Sequence, residues 1–400
     1  MTAPVPIPRF DTISDYHRYW SVCVPVLSIN PRFLHIALDL CNTCNLRCSF
    51  CYLSLPAFRG KAIFLTAESI HRHLQHLLPF TRRLCLSCGY EPLASPHFTE
   101  ILSSLAPYHI PQLDLVTNAT LLSEDKIEAI IKNGVQTLRF SLDAADKTTY
   151  ESMRHGACFE TVIANIKRLA VRKKELGSRT PSLAMIVVLM QSTLHQLKDL
   201  VDLAKELGVA SITMQHLIPF PGLHMEAQVI TEKDAAPYDA LIGPLHEYAQ
   251  KNRIFLSAPN PFHPNPPRLD GWLLPLRSRA SRLCQAIVNA QMNPSQNMQD
   301  ITYGIINHGL RLVRRAYCPA HQFCRNPFNY IIMTPEGRAK ACPYLDDAWL
   351  KVFDSGMPLT SVFLGDEYQA LRQIMMDGGP HPAPCLKCPD CQLLNTKKRI

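Results

Sequence analysis

Cys41-Asn-Thr-Cys44-Asn-Leu-Arg-Cys48-Ser-Phe50-Cys51-Tyr52 is the stretch around which the rest of the chain is organised. It holds four cysteines within eleven residues, and the last three follow the spacing C-x3-C-x2-C with an aromatic residue before the final cysteine. The preceding Leu34-His-Ile-Ala-Leu-Asp-Leu40 is short, apolar and rich in strand-forming residues, which predicts a buried strand. The cysteines therefore lie in a loop at the carboxyl end of a strand, where α/β folds place their chemistry.

Three closely spaced cysteines suit an iron–sulfur cluster. Three thiolates can bind three irons of a [4Fe–4S] cluster, because each iron takes one protein sulfur, and the fourth iron then needs another ligand. A structural zinc site is an alternative, although zinc sites usually pair two C-x2-C knuckles about 12–20 residues apart. A ferredoxin-type loop uses a different spacing, C-x2-C-x2-C-x3-C. Cys41 would complete a four-cysteine set, but its position beside the strand end favours a packing role.

Cys44, Cys48, Phe50 and Cys51 match residue for residue the motif CxxxCxΦC, with Φ aromatic, so the chain resembles the radical S-adenosylmethionine (SAM) superfamily. The resemblance implies a [4Fe–4S] cluster on the three cysteines, with its open iron chelated by the amino and carboxylate groups of SAM. It also implies reductive cleavage of SAM to methionine and a 5′-deoxyadenosyl radical that abstracts a substrate hydrogen. The expected electron source is a low-potential donor such as flavodoxin or ferredoxin.

Length and composition indicate a globular protein of one large domain or two. The amino terminus lacks a charged segment followed by an apolar one, so no signal peptide is expected. Fifteen cysteines without an export signal then indicate reduced thiols, metal ligation and a cytoplasmic location. The longest apolar run, near Ala184–Met190, is far below the ~20 residues of a membrane helix, so no membrane partner is expected.

The formal net charge of +8 is modest for this length and suits an acidic partner such as a nucleotide, a carboxylate or an acidic peptide. Most basic residues are dispersed, apart from Arg311–Arg315 and the tail Lys397–Arg399. No nucleic-acid-binding motif accompanies them, so solvated surface is the preferred interpretation and no nucleic-acid partner is expected.

Strand-like and helical segments alternate between about residues 34 and 216. The six strand-like segments are 34–40, 83–88, 112–116, 136–142, 183–189 and 210–214. Alternation at this spacing predicts an α/β fold with a parallel sheet, and the resemblance implies a partial (β/α)6 TIM-like barrel. An open doubly wound sheet is the alternative, but no G-x-G-x-x-G follows the first strand.

Two strand ends after the cysteine loop resemble SAM-binding positions of the family. Cys88-Gly-Tyr-Glu91-Pro lies where the family has Gly-Gly-Glu-Pro. The resemblance implies that the Glu91 carboxylate contacts the SAM amino group. Tyr90 is bulky where the family backbone approaches SAM closely. Asn118 lies in Thr-Asn-Ala-Thr, similar to the family's Thr-Asn-Gly-Thr. Cys85 and Cys88 are interpreted as a packed strand pair rather than as metal ligands.

The later strand ends extend this resemblance. Ser141 and Asp143 lie in Ser-Leu-Asp-Ala, similar to Ser-Leu-Asp-Gly, which assigns them to the ribose or carboxylate region of SAM. Asp143 is alternatively a helix N-cap, a common use of aspartate after a strand. Arg154 matches the arginine that pairs with the SAM carboxylate, a task that suits the bidentate guanidinium. His216 ends the last strand and is interpreted equally as structural or functional.

A second group of cysteines fills the carboxyl-terminal region. Its members are Cys318, Cys324, Cys342, Cys385, Cys388 and Cys391. Asn329–Gly337 predicts a β-hairpin with a Pro-Glu-Gly turn. The C-x12-G-x4-C pattern that ends at residue 342 resembles the SPASM and twitch extensions, which bind auxiliary [4Fe–4S] clusters.

The resemblance implies one auxiliary cluster on Cys324, Cys342, Cys385 and Cys388, with Cys318 and Cys391 as competitors for a place. Two clusters are less expected, because the family's C-x2-C-x5-C-x3-C pattern is absent. A structural zinc in this region is an alternative, since ribbons bind zinc through paired hairpins.

Four regions follow from these patterns. They are an amino-terminal extension (1–33), a core barrel (34–216), a Pro-rich connecting region (217–315) and a small cysteine-rich auxiliary domain with a hairpin (316–400). The expected function is that of a radical SAM oxidoreductase or modifying enzyme acting on a peptide or small-molecule substrate. A non-catalytic iron–sulfur electron carrier or scaffold is the alternative from another class. Radical SAM methyl transfer is a third possibility, but no cobalamin-binding domain is visible.

Overall fold

The computed structural model describes residues 9–23, 32–87, 89–262, 329–342 and 359–377. The chain divides into two compact units. One combines Met1–Pro31, Asn265–Arg325 and Gln369–Ile400, and the other combines Arg32–Pro264 and Asn326–Tyr368. The second unit contains the central sheet and the candidate site.

The central sheet of the described residues has nine strands in the order β11-β10-β1-β3-β4-β5-β7-β8-β9, and β2 and β6 form a separate pair. The strands are β1 (Leu34–Leu38), β2 (Arg47–Cys48), β3 (Thr81–Leu86), β4 (Gln112–Thr117), β5 (Thr137–Ser141), β6 (Arg154–His155), β7 (Ser182–Leu189), β8 (Ser211–His216), β9 (Phe255–Ser257), β10 (Tyr330–Met333) and β11 (Ala339–Lys340).

Helices alternate with these strands. They are α1 (Ile13–Cys23), α2 (Ala67–Leu74), α3 (Phe98–Leu105), α4 (Glu124–Lys132), α5 (Lys147–Met153), α6 (Phe159–Glu175), α7 (Leu197–Glu206), α8 (Ala235–Lys251), α9 (Leu359–Leu364) and α10 (Asp366–Asp377). Thr66 is the N-cap of α2, because its Oγ1 accepts the Ser69 amide. None of these helices combines the length and the apolar content that crossing a membrane requires.

The six predicted strands are β1, β3, β4, β5, β7 and β8, and each pairs in parallel with the next. Consecutive parallel strands with intervening helices confirm the predicted α/β fold and its partial (β/α)6 barrel. The doubly wound alternative is excluded, because the six strands follow one another in chain order without reversal.

The two faces of the sheet differ in chemistry. Successive strand residues point to opposite faces. One face is apolar and buried, with Leu84, Leu115 and Phe140 fully enclosed. The other face, which is the inner face of the partial barrel, carries mainly polar side chains. They include His35, Arg83, Cys85, Asp114, Arg139, Ser141, Thr213 and Gln215. The polar inner face leaves the barrel interior suited to a polar ligand.

The sheet extends beyond the predicted barrel at both edges. After residue 216 the chain adds α8 and then β9, which pairs in parallel with β8. The predicted hairpin is present as β10 and β11, with Gly337 at φ 75° in its turn. Its first strand, β10, pairs in parallel with β1 and therefore belongs to the barrel sheet. This pairing covers the β1 edge, which would otherwise expose unpaired backbone groups.

The β10 strand should contribute to the stability of the whole barrel. We expect Ile331→Ala, at a fully buried position of β10, to lower the free energy of unfolding by about 2–5 kcal/mol, because it leaves a cavity in the core. Urea unfolding followed by circular dichroism measures this loss. Ile218→Ala, at a position that is 64% exposed, is the matched control and should change stability by less than about 0.5 kcal/mol. Equal, small effects in both variants would show that β10 is not part of the cooperative sheet.

Candidate functional site

The cysteine loop is attached to the segment that follows β5. Its short strand β2 pairs antiparallel with β6, so that Cys48 lies opposite Arg154. The Ser49 amide also donates to the Met153 carbonyl at 2.8 Å. The loop therefore has a defined backbone position on the carboxyl side of the sheet.

The three motif cysteines form a group of free thiols. Cys48 is buried, and Cys44 and Cys51 are half-buried. Burial raises the pKa of all three thiols, to about 11 for Cys44, and the neighbouring Cys48 and Cys51 raise the pKa of Cys44 further. Adjacent thiolates repel one another in the absence of a cation, whereas a thiophilic metal centre is stabilised by them. The donor set fits a [4Fe–4S] cluster that has three protein ligands.

Polar groups surround the sulfur atoms of this loop. Cys44 Sγ lies 3.4 Å from the Leu46 amide and 3.8 Å from Asn118 Nδ2. Cys48 Sγ lies 3.8 Å from Arg154 Nη1. The Arg154 guanidinium also lies 5.5 Å from the centre of the Phe50 ring. Donors around sulfur stabilise negative charge on it and tune the potential of an iron–sulfur cluster.

The Cys41 thiol contacts backbone carbonyl oxygens at the base of the cysteine loop. It is buried and lies 3.1 Å from the Glu91 carbonyl oxygen and 3.6 Å from the Thr43 carbonyl oxygen. Burial raises the pKa of Cys41, and the charges that act on it are those of Glu91 and Asp39. These contacts support a packing role for Cys41 at the base of the loop.

Glu91 joins three segments of the chain. Its Oε1 accepts from Thr117 Oγ1 at 2.7 Å and from the Leu93 amide at 3.1 Å, and its Oε2 accepts from the Asn118 amide at 2.7 Å. The Glu91 amide in turn donates to the Thr43 carbonyl of the cysteine loop at 3.0 Å. Burial raises the pKa of Glu91, and the three hydrogen bonds oppose that rise.

Asp39 organises the turn before Glu91, a role that sequence reasoning missed. Its Oδ1 accepts the amides of Gly89 at 3.0 Å and of Tyr90 at 3.4 Å, and the residue is only 4% exposed. A Cβ atom on Gly89 would lie 2.6 Å from the Tyr52 hydroxyl, so a larger residue there would require the Tyr52 side chain to move. The available signal was an acidic residue at the end of an otherwise apolar buried strand.

Asp143 and Arg154 form a buried ion pair. Asp143 Oδ2 accepts from Arg154 Nε at 2.7 Å and lies 2.7 Å from Arg154 Nη2, and Asp143 Oδ1 accepts the Val188 amide at 2.8 Å. Burial acts to lower the pKa of Arg154, but Asp143 and Cys48 raise it, so the guanidinium stays charged. The prediction that Asp143 is an N-cap is wrong, because Asp146 accepts the Thr149 amide at the start of α5.

Asn118 and Ser141 lie at neighbouring strand ends. Asn118 Nδ2 donates to Asn45 Oδ1 of the cysteine loop at 3.0 Å, and its Oδ1 accepts from the Thr120 amide and hydroxyl. Ala119 adopts a left-handed φ of 59°, which explains why the related motif has glycine at this place. Ser141 is half-buried on the inner face at the end of β5.

Direct contacts join six of the predicted site residues into two groups at the cysteine loop. Cys44, Asn118 and Glu91 form one group, and Cys48, Arg154 and Asp143 form the other. His216 instead packs against the rings of Tyr238 and Phe262, at centroid distances of 5.6 and 5.9 Å, which favours its structural interpretation.

Most of the second cysteine group lies outside the described residues. This applies to Cys318, Cys324, Cys385, Cys388 and Cys391, and also to Cys88 after β3. Cys342 is described, and it lies half-buried two residues after the end of β11. Cys85 lies half-buried on the inner face of β3, with its Sγ 3.4 Å from the Ser87 carbonyl oxygen.

Comparison with curated proteins finds relatives among enzymes of one superfamily. The family model "Radical SAM superfamily" matches residues 38–204. A GTP 3′,8-cyclase of Synechocystis sp. is 24% identical over 178 residues, which are 44% of this chain and 52% of that protein. An AdoMet-dependent heme synthase of Methanosarcina barkeri is 27% identical over 228 residues, 56% of this chain and 60% of that protein. The chain thus spans about half the length of the curated relatives it matches.

Solved structures share the fold at low identity. Streptococcus suis SuiB bound to S-adenosylmethionine matches with a TM-score of 0.58 and 16% identity, over 91% of this chain and 74% of that chain. The protein anSMEcpe with bound AdoMet matches with a TM-score of 0.54 and 15% identity, over 89% of this chain and 83% of that chain. The family match, the partial barrel and the three-cysteine loop agree with one another, so residues 38–204 of this chain are similar to the radical SAM superfamily.

Proposed function

We propose that this chain binds a [4Fe–4S] cluster on Cys44, Cys48 and Cys51 and uses it to cleave SAM and abstract hydrogen from a peptide or small-molecule substrate. The observation that carries the proposal is the connection of the three-thiol loop to Glu91 and Arg154 through direct contacts. The bound cluster would supply the single electron that cleaves SAM to methionine and a 5′-deoxyadenosyl radical.

Glu91 is proposed to receive the SAM amino group. A carboxylate has about four lone-pair sites, and the protein occupies two on Oε1 and one on Oε2. The remaining capacity on Oε2 suits an ammonium donor. Because Glu91 also holds the Asn118 amide and the Thr43 carbonyl, the same residue would orient the ligand and the cysteine loop together.

Arg154 is proposed to receive the SAM carboxylate. Asp143 engages its Nε and Nη2 atoms, which leaves Nη1 toward the cysteine loop, 3.8 Å from Cys48 Sγ. Asp143 would therefore act as a positioning residue for Arg154 rather than touch the ligand. Asn118 and Ser141 are proposed to contact the ribose and carboxylate region from the ends of β4 and β5.

The carboxyl-terminal cysteines are proposed to bind one auxiliary cluster that accepts an electron from the substrate radical or orients the substrate. The ligand set is Cys324, Cys342, Cys385 and Cys388, with Cys318 and Cys391 as competitors. The position of Cys342 beside the hairpin, two residues after the end of β11, supports this proposal. A structural zinc at the same cysteines is the alternative occupant.

The substrate class is open between two kinds of molecule. The names of the relatives include a GTP cyclase and a heme synthase, which act on small molecules, whereas SuiB was solved with its precursor peptide SuiA. We propose a peptide or small-molecule substrate and a low-potential electron donor such as flavodoxin or ferredoxin.

The contacts of the Cys41 thiol with backbone carbonyls argue against a four-cysteine cluster and thus against the electron-carrier alternative.

Cluster loading and SAM cleavage should depend on the three motif cysteines. We expect the anaerobically reconstituted parent to bind about eight irons, as two [4Fe–4S] clusters require, and to form 5′-deoxyadenosine from SAM under strong reductant. The variant with Cys44, Cys48 and Cys51 changed to alanine should lose about four irons and all 5′-deoxyadenosine formation. Cys158→Ala, at an exposed thiol, is the matched control and should behave as the parent. Iron loading of the parent without SAM cleavage would favour the electron carrier.

The ion pair of Asp143 with Arg154 should affect both stability and SAM binding. We expect Asp143→Asn to lower the free energy of unfolding by about 3–5 kcal/mol, because Arg154 is then buried without a compensating charge. Steady-state kinetics should show a higher KM for SAM. Asp199→Asn is the matched control, because Asp199 is exposed on α7, and it should change stability by less than about 0.5 kcal/mol and leave the KM unchanged. An Asp143→Asn enzyme that is less stable but has the parent KM would limit the pair to a structural role.

A further inference from the structure

A cluster of charged side chains lies on the inner face of the barrel, away from the cysteine loop. It consists of Arg83, Asp114 and Arg139, each the third residue of its strand, β3, β4 and β5. Asp114 Oδ2 lies 2.8 Å from Arg83 Nε and 2.8 Å from Arg139 Nη1. The function proposed above gives this cluster no role.

The cluster presents positive charge to the barrel interior. The Asp114 side chain is fully buried, whereas the side chains of Arg83 and Arg139 are 35% and 21% exposed. One carboxylate neutralises one of the two guanidiniums, so the three side chains together carry a charge of about +1. The accessible part of the cluster is therefore cationic.

Both arginines keep unused hydrogen-bond donors. Asp114 binds Arg83 through Nε, and the two terminal nitrogens of Arg83 donate no hydrogen bond to an acceptor among the described residues. Arg139 Nη1 is close to Asp114 but does not direct an N–H at it, and within the described ranges it has no hydrogen-bond partner. Such donors favour a planar or tetrahedral anion, which a guanidinium binds through two parallel hydrogen bonds.

Neighbouring titratable groups do not cancel this charge. His35 lies opposite Arg83 on β1, and burial lowers the pKa of His35, as does the charge of Arg83. Cys85 lies beside Asp114, and burial raises the pKa of its thiol to about 11, with Asp114 and Asp39 also raising it. Both groups are therefore neutral near pH 7. Asp39, the other acidic group that acts on Cys85, binds the amides of Gly89 and Tyr90.

The cluster lies on the same strands as the proposed SAM site, a few residues before their carboxyl ends. Arg139 precedes Ser141 by two residues on the same face of β5, and Asp114 precedes the last residue of β4, Thr117, by three. At about 3.3 Å per residue, the cluster lies roughly 7–10 Å from the carboxyl ends of these strands. A substrate held there by one group can therefore present another part of itself at the strand ends.

We propose that Arg83 and Arg139 form a subsite for an anionic group of the substrate, a carboxylate or a phosphate. Asp114 is a positioning residue that holds both guanidiniums and does not touch the ligand. This assignment rests on the proposed function, because it takes the bound molecule to be the substrate of the radical reaction. The second guanidinium is only partly solvated and one aspartate does not neutralise both arginines, so a bound anion would compensate the remaining charge.

The test is anion binding to the reconstituted full-length protein with SAM present, so that the SAM carboxylate site is filled. Isothermal titration calorimetry with inorganic phosphate and, separately, with acetate should show binding of at least one probe. The probe that binds more tightly distinguishes a phosphate-bearing from a carboxylate-bearing substrate. Arg139→Gln and Arg83→Gln should each weaken binding at least tenfold. Arg172→Gln is the matched control and should bind as the parent, since Arg172 contacts Glu128 and Glu175 on the protein surface.

Two further variants separate a binding role from a structural one. Asp114→Asn keeps an oxygen that can accept from Arg83 Nε and raises the cluster charge from about +1 to +2, so it should tighten binding several-fold. Loss of a merely structural group would not strengthen binding. Arg139→Lys keeps the charge and should lose only a few-fold in affinity, which guards against a glutamine variant that fails to fold. Circular dichroism checks the fold of each variant.

The failures of the two proposals are distinguishable. If the parent forms 5′-deoxyadenosine but binds neither probe, or if Arg139→Gln binds as tightly as the parent, the subsite is overturned and the proposed function stands. If the probes bind as expected but SAM is never cleaved, the assignment to a radical substrate fails together with the proposed function.

Discussion

The buried carboxylate of Glu91 is the interaction on which the carboxyl side of the barrel depends. It accepts hydrogen bonds from the end of β4 through Thr117 and Asn118, and its own backbone binds Thr43 and Cys41 of the cysteine loop. A buried carboxylate with three hydrogen bonds fixes its partners, because leaving any of them unpaired costs about 1–3 kcal/mol. The positions of the loop and of two strand ends are thereby coupled.

A second polar connection holds the other side of the loop. The Asp143–Arg154 ion pair is bound to β7 through the Val188 amide and to the loop through the pairing of β2 with β6. The loop is thus held from β4 on one side and from the segment after β5 on the other. The rest of the inner face is polar and partly exposed, whereas the outer face is apolar and closed. The buried apolar side chains of the outer face therefore stabilise the sheet, and the polar side chains of the inner face remain available for binding.

Much of this arrangement was predictable, because it depends on local patterns. The strands of the barrel follow from short apolar segments, and Thr66 caps α2 as its sequence indicates. Other features depend on contacts between distant segments. Asp143 has the sequence pattern of an N-cap, but its carboxylate pairs with Arg154 instead. Asp39 and the pairing of β10 with β1 carry no local signal of their partners.

By itself the sequence determined the superfamily motif, the alternation of strands and helices, and the residue types at the strand ends, because spacing and hydrophobic period are properties of neighbouring residues. Only the tertiary structure decided which polar groups satisfy one another. It separated the Cys41 thiol from the other three, and it placed Arg83, Asp114 and Arg139 together on the inner face. These outcomes depend on the register of parallel strands, which is set by packing across the whole sheet rather than by any one segment.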